Sequence, residues 1–426
     1  MIYNEKSKFW SFFITVWSLG CAVAIGFFPD FSWWLLGAIL VGLFLSLAYS
    51  SHYNNGGLSF CRFLIGMLFI FSGLTKGVDP MGTGYKMTEY FYAYHIEWMN
   101  PAALTLAVML IMAEFSVGMC LLMNILPRLA TLGASILMAF FTITTLLDAL
   151  FNLVADCGCF GAAITMTNWQ TFFKNLVILI VLIPLILNNK ILKNKVFTAT
   201  GQWILALAFT GLFVIFEVHN IRHLPIVDFM PWKVGKDMRP KQDDEMEVYL
   251  TFRNSQTGET KEYLSSDYPY YDTEWMNQWE YVSQRTVGGT TGSLLFSMND
   301  ENDEDFTDLL FDTDSLVVFV APYLNEMDNK AVGECKRVNK MAADAGFRVI
   351  WITATDASEV NRLNKWHGIF NEVYYGDELE LKTMIRSNPG LMLMDGGVVL
   401  GKWSRHDFPD TGVFDRLLAR HANQHQ

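Results

Sequence analysis

Charge is what the first half of this chain lacks. From Phe9 to Val218 the apolar residues come in runs of about 17 to 25, the length that crosses a hydrocarbon core, with few ionisable side chains between them. Such runs exclude a single soluble domain, as does a composition that is 52% hydrophobic and 15% aromatic. Basic residues are in short supply too: 31 Lys and Arg stand against 43 Asp and Glu, a formal charge of −12. Most of the acid lies beyond Asp228, where apolar and charged residues alternate. A negative soluble half argues against nucleic acid or anionic lipid as its partner. The start "MIYNEKSKFWSFF" lacks a small-x-small cleavage site before a polar segment, so an uncleaved anchor is expected. Cysteine is sparse, with six in the chain: Cys21, Cys61, Cys120, Cys157, Cys159 and Cys335. Four sit in apolar or helical patterns, where cysteine behaves as a small hydrophobe. Cys157 and Cys159 alone stand in a Gly-containing loop, "DCGCFG".

What is present is a series of spans. Periodicity and run length predict seven, at about 9–28, 33–50, 58–76, 102–125, 129–151, 171–188 and 201–219. Lys6, Lys8, Arg62, Arg128, Lys190, Lys193 and Lys195 fall on one face of the membrane if the N-terminus is cytoplasmic. Seven spans then place the Cys157–Cys159 loop and the C-terminal half on the opposite, outer side, which in a bacterium is the oxidising periplasm. The stretch "GYKMTEYFYAYHIEWM" suits an aromatic helix in the outer interface. Inside the spans, Glu114 lies mid-helix and Asp148 near an outer end. A lone charge at the depth of Glu114 costs about 2.5–3.5 kcal/mol, so that carboxyl should be protonated or paired inward. Lys76 and Asp79 are spaced to pair. Glu114 reads either as a proton-handling or quinone-contacting group or as an interhelical hydrogen bond that fixes packing. Gly66 and Gly73, with Ser72 nearby, line one face of the third span and suit close helix approach.

"RFLIGMLFIFSGLTKGVDPMGTGYKMTEYF", Arg62 to Phe91, resembles the opening of DoxX-like membrane proteins. It carries their Arg62, the Gly66 and Ser72-Gly73 small face, the Lys76, Asp79-Pro80 turn and a Lys86, Glu89-Tyr90 segment. "AEFSVGMCLL" and "DCGCFGAAITMTNWQTFFKN" look like the later pieces, and the Cys-Gly-Cys-Phe-Gly also resembles that of MauE-type methylamine-utilisation membrane proteins. The likeness covers about residues 58–188 and implies a four-helix core. Ala162 stands where that pattern usually has an acidic residue. The resemblance implies disulfide formation in an exported partner, or quinone-linked redox work in a membrane complex. It adds Arg62, Lys76, Asp79 and Glu89 to Glu114 and Asp148 as proton or quinone candidates.

Two cysteines at i and i+2 can close only a very small ring, which makes a labile disulfide rather than a structural one. The Cys157–Cys159 pair therefore reads as redox-active and catalytic. A structural link, a metal site and no role stay open, and no metal is expected because no His or further Cys sits nearby to complete four ligands. Lys174 and the start of the following helix, capped by Thr167 or Asn168, would supply positive potential.

Beyond Asp228, "EVYLTFRNSQTGETKEYL" reads as two strands around an Asn254–Gly258 turn. "NDENDED" lacks the Gly and terminal Glu of a calcium loop and reads as a solvated turn. From Leu316 the expected order is strand, helix, strand, helix, short strand, helix, hairpin at Gly396-Gly397, helix. That order, with Asn388, Pro389 and Gly390 before the hairpin, resembles a thioredoxin-like domain with a cis-proline at Pro389. Tyr323-Leu324-Asn325-Glu326 stands where such a domain would carry Cys-x-x-Cys, and Cys335 is in register with core positions. Asn388, Pro389 and Gly390 become candidates for docking an extended partner.

The expected fold is an α-helical transmembrane bundle plus an α/β thioredoxin-like domain. Its parts are an N-terminal hairpin (1–57), a DoxX/MauE-like core (58–190), a seventh helix (191–227), a β-rich connector (228–312) and the thioredoxin-like domain (313–426). The expected function is thiol–disulfide or quinone-linked redox work in a bacterial inner membrane, with a quinone as candidate cofactor. The lipid bilayer and an exported client or complex subunit are the expected partners. The alternative is a non-enzymatic membrane scaffold with a degenerate docking module.

Overall fold

The computed structural model describes residues 2–27, 32–53, 55–154, 158–164, 166–192, 196–239, 247–254, 260–264, 269, 275, 278–287 and 296–424. Cys157, the turn beyond Asn254, and Lys193 and Lys195 lie outside them. The chain divides into two compact units, Met1–Phe229 and Met230–Gln426.

The first unit is helical: α1 (Ile2–Ile25), α2 (Trp33–Tyr49), α3 (Asn55–Val78), α4 (Pro80–Ala93), α5 (Ala103–Leu122), α6 (Pro127–Phe151), α7 (Asn168–Leu187) and α8 (Ala199–Arg222). Among the described residues five helices are long and apolar enough to cross a membrane: Asn55–Val78, Glu97–Leu122, Pro127–Phe151, Asn168–Leu187 and Ala199–Arg222. Seven spans were expected. The two N-terminal apolar stretches, Phe9–Ile25 and Trp33–Tyr49, are shorter. The 17 residues of α2 rise about 26 Å, less than a hydrocarbon core of about 30 Å. Both helices pack on α7. Ile14, Cys21 and Ile39 share one core with Phe173 and Ile180 of that helix, and Ser46 donates to the Ile180 carbonyl at 2.6 Å.

The contact between α3 and α5 is the closest of the bundle, and small residues make it so. A methyl group at Gly66 would sit 3.0 Å from the Gly118 carbonyl oxygen, and one at Gly118 would sit 2.7 Å from the Ile70 nitrogen. At Gly73 it would lie 3.0 Å from the Phe115 nitrogen. Backbone cannot yield as a side chain can, so these positions admit only glycine. The expected interfacial helix is α4. It opens on Pro80, and Asp79 caps it by accepting from the Gly82 nitrogen at 2.9 Å.

The second unit holds two sheets. β1 (Glu247–Asn254) pairs antiparallel with β2 (Thr260–Leu264), as expected, and also with β3 (Trp279–Val287), which alternation alone did not reveal. The larger sheet has the order β6-β5-β4-β7-β8, from β4 (Leu316–Val320), β5 (Arg348–Thr353), β6 (Val373–Tyr375), β7 (Gly390–Asp395) and β8 (Val398–Ser404). β4, β5 and β6 run parallel, while β7 and β8 are antiparallel to their neighbours. Helices at Asn329–Asp344, Ala357–His367, Glu378–Met384 and Thr411–Gln424 connect and follow these strands. The result is an α/β domain whose central strand β4 is buried throughout, as its unbroken apolar run requires. "NDENDED" is a turn in which Asp300 accepts from the Asn302 and Glu304 nitrogens.

Cys335 is fully buried on the helix Asn329–Asp344, among Val332, Val338 and Ala342. Burial pushes its thiol up to about 12, and Glu334 adds to the shift. It is a core residue. The Asn388–Pro389 bond is cis. Asn388 Nδ2 donates to the Tyr323 carbonyl at 2.9 Å and its Oδ1 accepts from the Tyr323 nitrogen at 3.4 Å. The loop is thus tied to the end of β4, and Gly390 begins β7 opposite Val320 and Ser404.

Candidate functional site

The loop between α6 and α7 is shaped by its glycines. Gly158 and Gly161 have φ of 61° and 58°, the left-handed region that glycine enters without a Cβ clash, and the Gly161 nitrogen donates to the Gly158 carbonyl at 2.9 Å. Cys159 and Phe160 sit within that tight turn. A methyl group at Gly161 would lie 3.3 Å from the Thr75 carbonyl oxygen, so the loop rests closely on α3. Phe160 packs against Phe71 and beneath the Lys174 ammonium, 4.6 Å from the ring centroid. Thr167 and Gln170 form a capping box at the start of α7. Asn168 instead fastens the end of α6, where its Nδ2 reaches the Val154 carbonyl at 2.9 Å and Asn152 Oδ1 at 3.1 Å.

Beneath the loop lies a buried polar cluster. Lys76 Nζ is 2.6 Å from Glu114 Oε1, and both side chains are almost fully buried, at 6% and 1% exposure. The Ser72 hydroxyl lies 2.7 Å from Glu114 Oε2 and 2.9 Å from the Cys159 carbonyl oxygen, so its single proton is shared between them. A carboxylate and an ammonium inside a bundle cost far less as a bonded pair than singly, which accounts for their joint burial. The sequence spacing suggested Asp79 as the partner of Lys76. The structure brings Glu114 of α5 to it, because α3 and α5 touch at Gly66, Gly73 and Gly118. Asn175 on α7 donates to Thr145 Oγ1 at 3.1 Å.

Two cavities meet Cys159. A small one of about 20 Å³, room for about one water, is lined by Ser72, Lys76, Glu114, Cys159, Phe160, Lys174 and Asn175, among others. A larger one of about 500 Å³ lies between α4, α5 and α6. Its walls are apolar, with Met87, Phe91, Leu106, Met109, Leu110, Phe140 and Phe141, and Gly158 and Cys159 belong to it. Lys76, Thr83, Lys86 and Tyr90 bring polar groups to it. The Thr83 hydroxyl is buried with no hydrogen-bond partner among the described residues. The Tyr90 hydroxyl donates to Asp148 Oδ2 at 2.6 Å, which links that buried carboxyl to the cavity wall.

The other candidates fall elsewhere. Glu89 pairs with Lys86 at 2.8 Å on the half-exposed side of α4. Arg62 bonds Asn124 by Nη1. It lies fourteen residues before Lys76 on the same helix, a rise of about 21 Å, and so belongs to the opposite end of the bundle. Among the described residues no group of three or more His, Cys, Asp or Glu could hold a metal. One buried carboxyl escaped the sequence reading: Glu217, fully buried on α8. Its signal was present, since it is the only acid in the 24 residues of that helix.

These features define a membrane protein: a bundle with helices of spanning length, a cysteine loop set over a buried ion pair, and a separate α/β unit. Residues 54–187 match the family model for methylamine utilisation protein MauE, so the stretch from α3 to α7 is similar to that membrane protein family. No curated protein and no solved structure matches the chain.

Proposed function

We propose that the chain carries out thiol–disulfide exchange in a bacterial inner membrane, with Cys157 and Cys159 as the exchanging pair and a membrane quinone as electron acceptor. The observation that carries this reading is the place of Cys159. It stands on a glycine-bounded turn at the wall of a 500 Å³ apolar cavity that reaches between membrane helices. Oxidation of the two thiols to a disulfide releases two electrons and two protons. A quinone bound in the cavity would accept both and leave as the quinol. The residues present fit such a molecule: aromatic and methionine walls suit its ring and tail, and Thr83 and Lys86 offer donors to its carbonyl oxygens. Lys174 places an ammonium group on the wall of the smaller cavity beside Cys159, the positive surroundings that an attacking thiolate requires. The Ser72 and Glu114 contacts hold the loop against α3 and so fix the sulfur at the cavity.

In this reading the N-terminus is cytoplasmic and the thiol loop faces the periplasm. The C-terminal unit, read as thioredoxin-like, would dock an exported client along the Asn388–Gly390 edge without a dithiol of its own. The test is to trap Cys157 and Cys159 with a thiol-reactive mass tag in living cells. Quinone depletion should shift the pair from oxidised to reduced. A pair whose state ignores quinone supply, together with full function of a Cys157→Ser/Cys159→Ser chain, would replace this reading by the scaffold alternative.

A further inference from the structure

Helix α8 presents one face to the rest of the bundle, and Glu217 lies in the middle of it. Phe213, Phe216, Glu217 and Asn220 follow the i, i+3, i+4, i+7 spacing of a single helical face. Phe213 stacks on Phe115 of α5 with ring centroids 3.9 Å apart. A methyl group at Gly77 would meet Phe213 at 2.7 Å and Phe216 at 3.4 Å. Asn220 Nδ2 donates to the Gly77 carbonyl at 3.0 Å. Glu217 is 0% exposed, and neither carboxyl oxygen has a hydrogen-bond partner among the described residues.

The lysine and carboxyl groups of α4 and α5, and Lys76 of α3, have partners elsewhere. Lys76 on α3 and Glu114 on α5 bond each other, Asp79 caps α4, and Lys86 and Glu89 on α4 bond each other. On α8 itself His219 stacks with His223, 4.6 Å apart, and Arg222 ends the helix. A carboxylate in these surroundings would be an uncompensated buried charge, which costs far more than the neutral acid. A divalent metal would need several oxygen ligands; the phenyl rings supply none, and the Gly77 carbonyl already accepts from Asn220.

We propose that Glu217 is a proton-binding site of the membrane unit, carrying its proton as the neutral carboxylic acid. This is a fourth buried carboxyl of the unit, distinct in its bonding from the ion-paired Glu114, the tyrosine-bonded Asp148 and Asp79, which caps α4. It needs no thiol chemistry, so its failure and that of the redox reading are separable.

Infrared spectroscopy of the full chain in detergent tests it. The wild type should show a protonated-carboxyl C=O band that shifts in heavy water. Glu217→Gln should lose that band and keep the wild-type melting temperature, because an uncharged isostere replaces an uncharged acid. Glu217→Leu should melt no lower than the wild type. A protonated-carboxyl band as strong in Glu217→Gln as in the wild type, or a Glu217→Gln chain that melts well below the wild type, overturns the proposal.

Discussion

The two units handle charge in opposite ways. In the helical unit the ion pair Lys76–Glu114 is almost wholly buried, and a serine ties it to the cysteine loop. In the α/β unit the ion pairs ride on the surface: Arg348 meets Glu372 and Arg362 meets Glu359 with side chains substantially exposed. The thiols differ in the same sense. Cys159 lines two cavities, whereas Cys335 is sealed in a core with its thiol pushed up to about 12 by burial. The helical unit buries an ion pair where charge is most expensive, and the α/β unit keeps these pairs at its surface.

The largest break in this contrast should come from Lys76→Met. It strands Glu114 in an apolar interior and should cost about 3–5 kcal/mol, read as a fall in the melting temperature of the detergent-solubilised chain. Lys76→Met with Glu114→Gln should recover most of that loss, and a single variant as stable as the wild type would show that the pair is not a buried unit.

A glycine comparison sharpens the contrast at smaller scale. Gly118→Ala drives a methyl group into the α3 backbone and should destabilise by about 1–3 kcal/mol. Gly333→Ala, in the exposed part of the helix Asn329–Asp344 with nothing within 4 Å, should stabilise by about 1 kcal/mol through helix propensity. Opposite signs in the same melting assay are the expected result.

The smallest effect is a pH dependence confined to the α/β unit. The Ala331 backbone N–H that Asp328 accepts, helped by Arg405, holds its carboxyl below the usual carboxylate range. A depressed native value means that the cap stabilises fully above the ordinary carboxylate pKa and is lost as pH falls through the native one. Amide protection at the start of the helix Asn329–Asp344 should therefore weaken in acid. In Asp328→Asn it should stay level with pH, and an equal acid response in the two chains would count against the cap.

Much of this was legible in the chain itself. Apolar run length announced a membrane unit, Gly66 and Gly73 announced a close helix contact, and the order of elements after Leu316 matched the observed strands and helices. Cys335 was correctly placed in a core by its register with Val332, Val338 and Ala342. Other features were hidden for identifiable reasons. β3 pairs with β1 across 24 residues of intervening chain, between Asn254 and Trp279, and no local pattern announces such a pairing. Glu217 is a single acid in a largely apolar helix, and only the packing of α8 on α3 and α5 shows that it is buried.

Local composition determined which segments are helices, which seek lipid, and where glycine makes the backbone bend around Cys159, since each depends on neighbours along the chain. Only the folded bundle decided that Lys76 meets Glu114 across 38 residues, that Ser72 joins them to the Cys159 loop, and that a cavity opens at that sulfur. Those choices depend on which helices approach closely enough to touch, and helix spacing is a property of packed surfaces rather than of any one stretch of sequence.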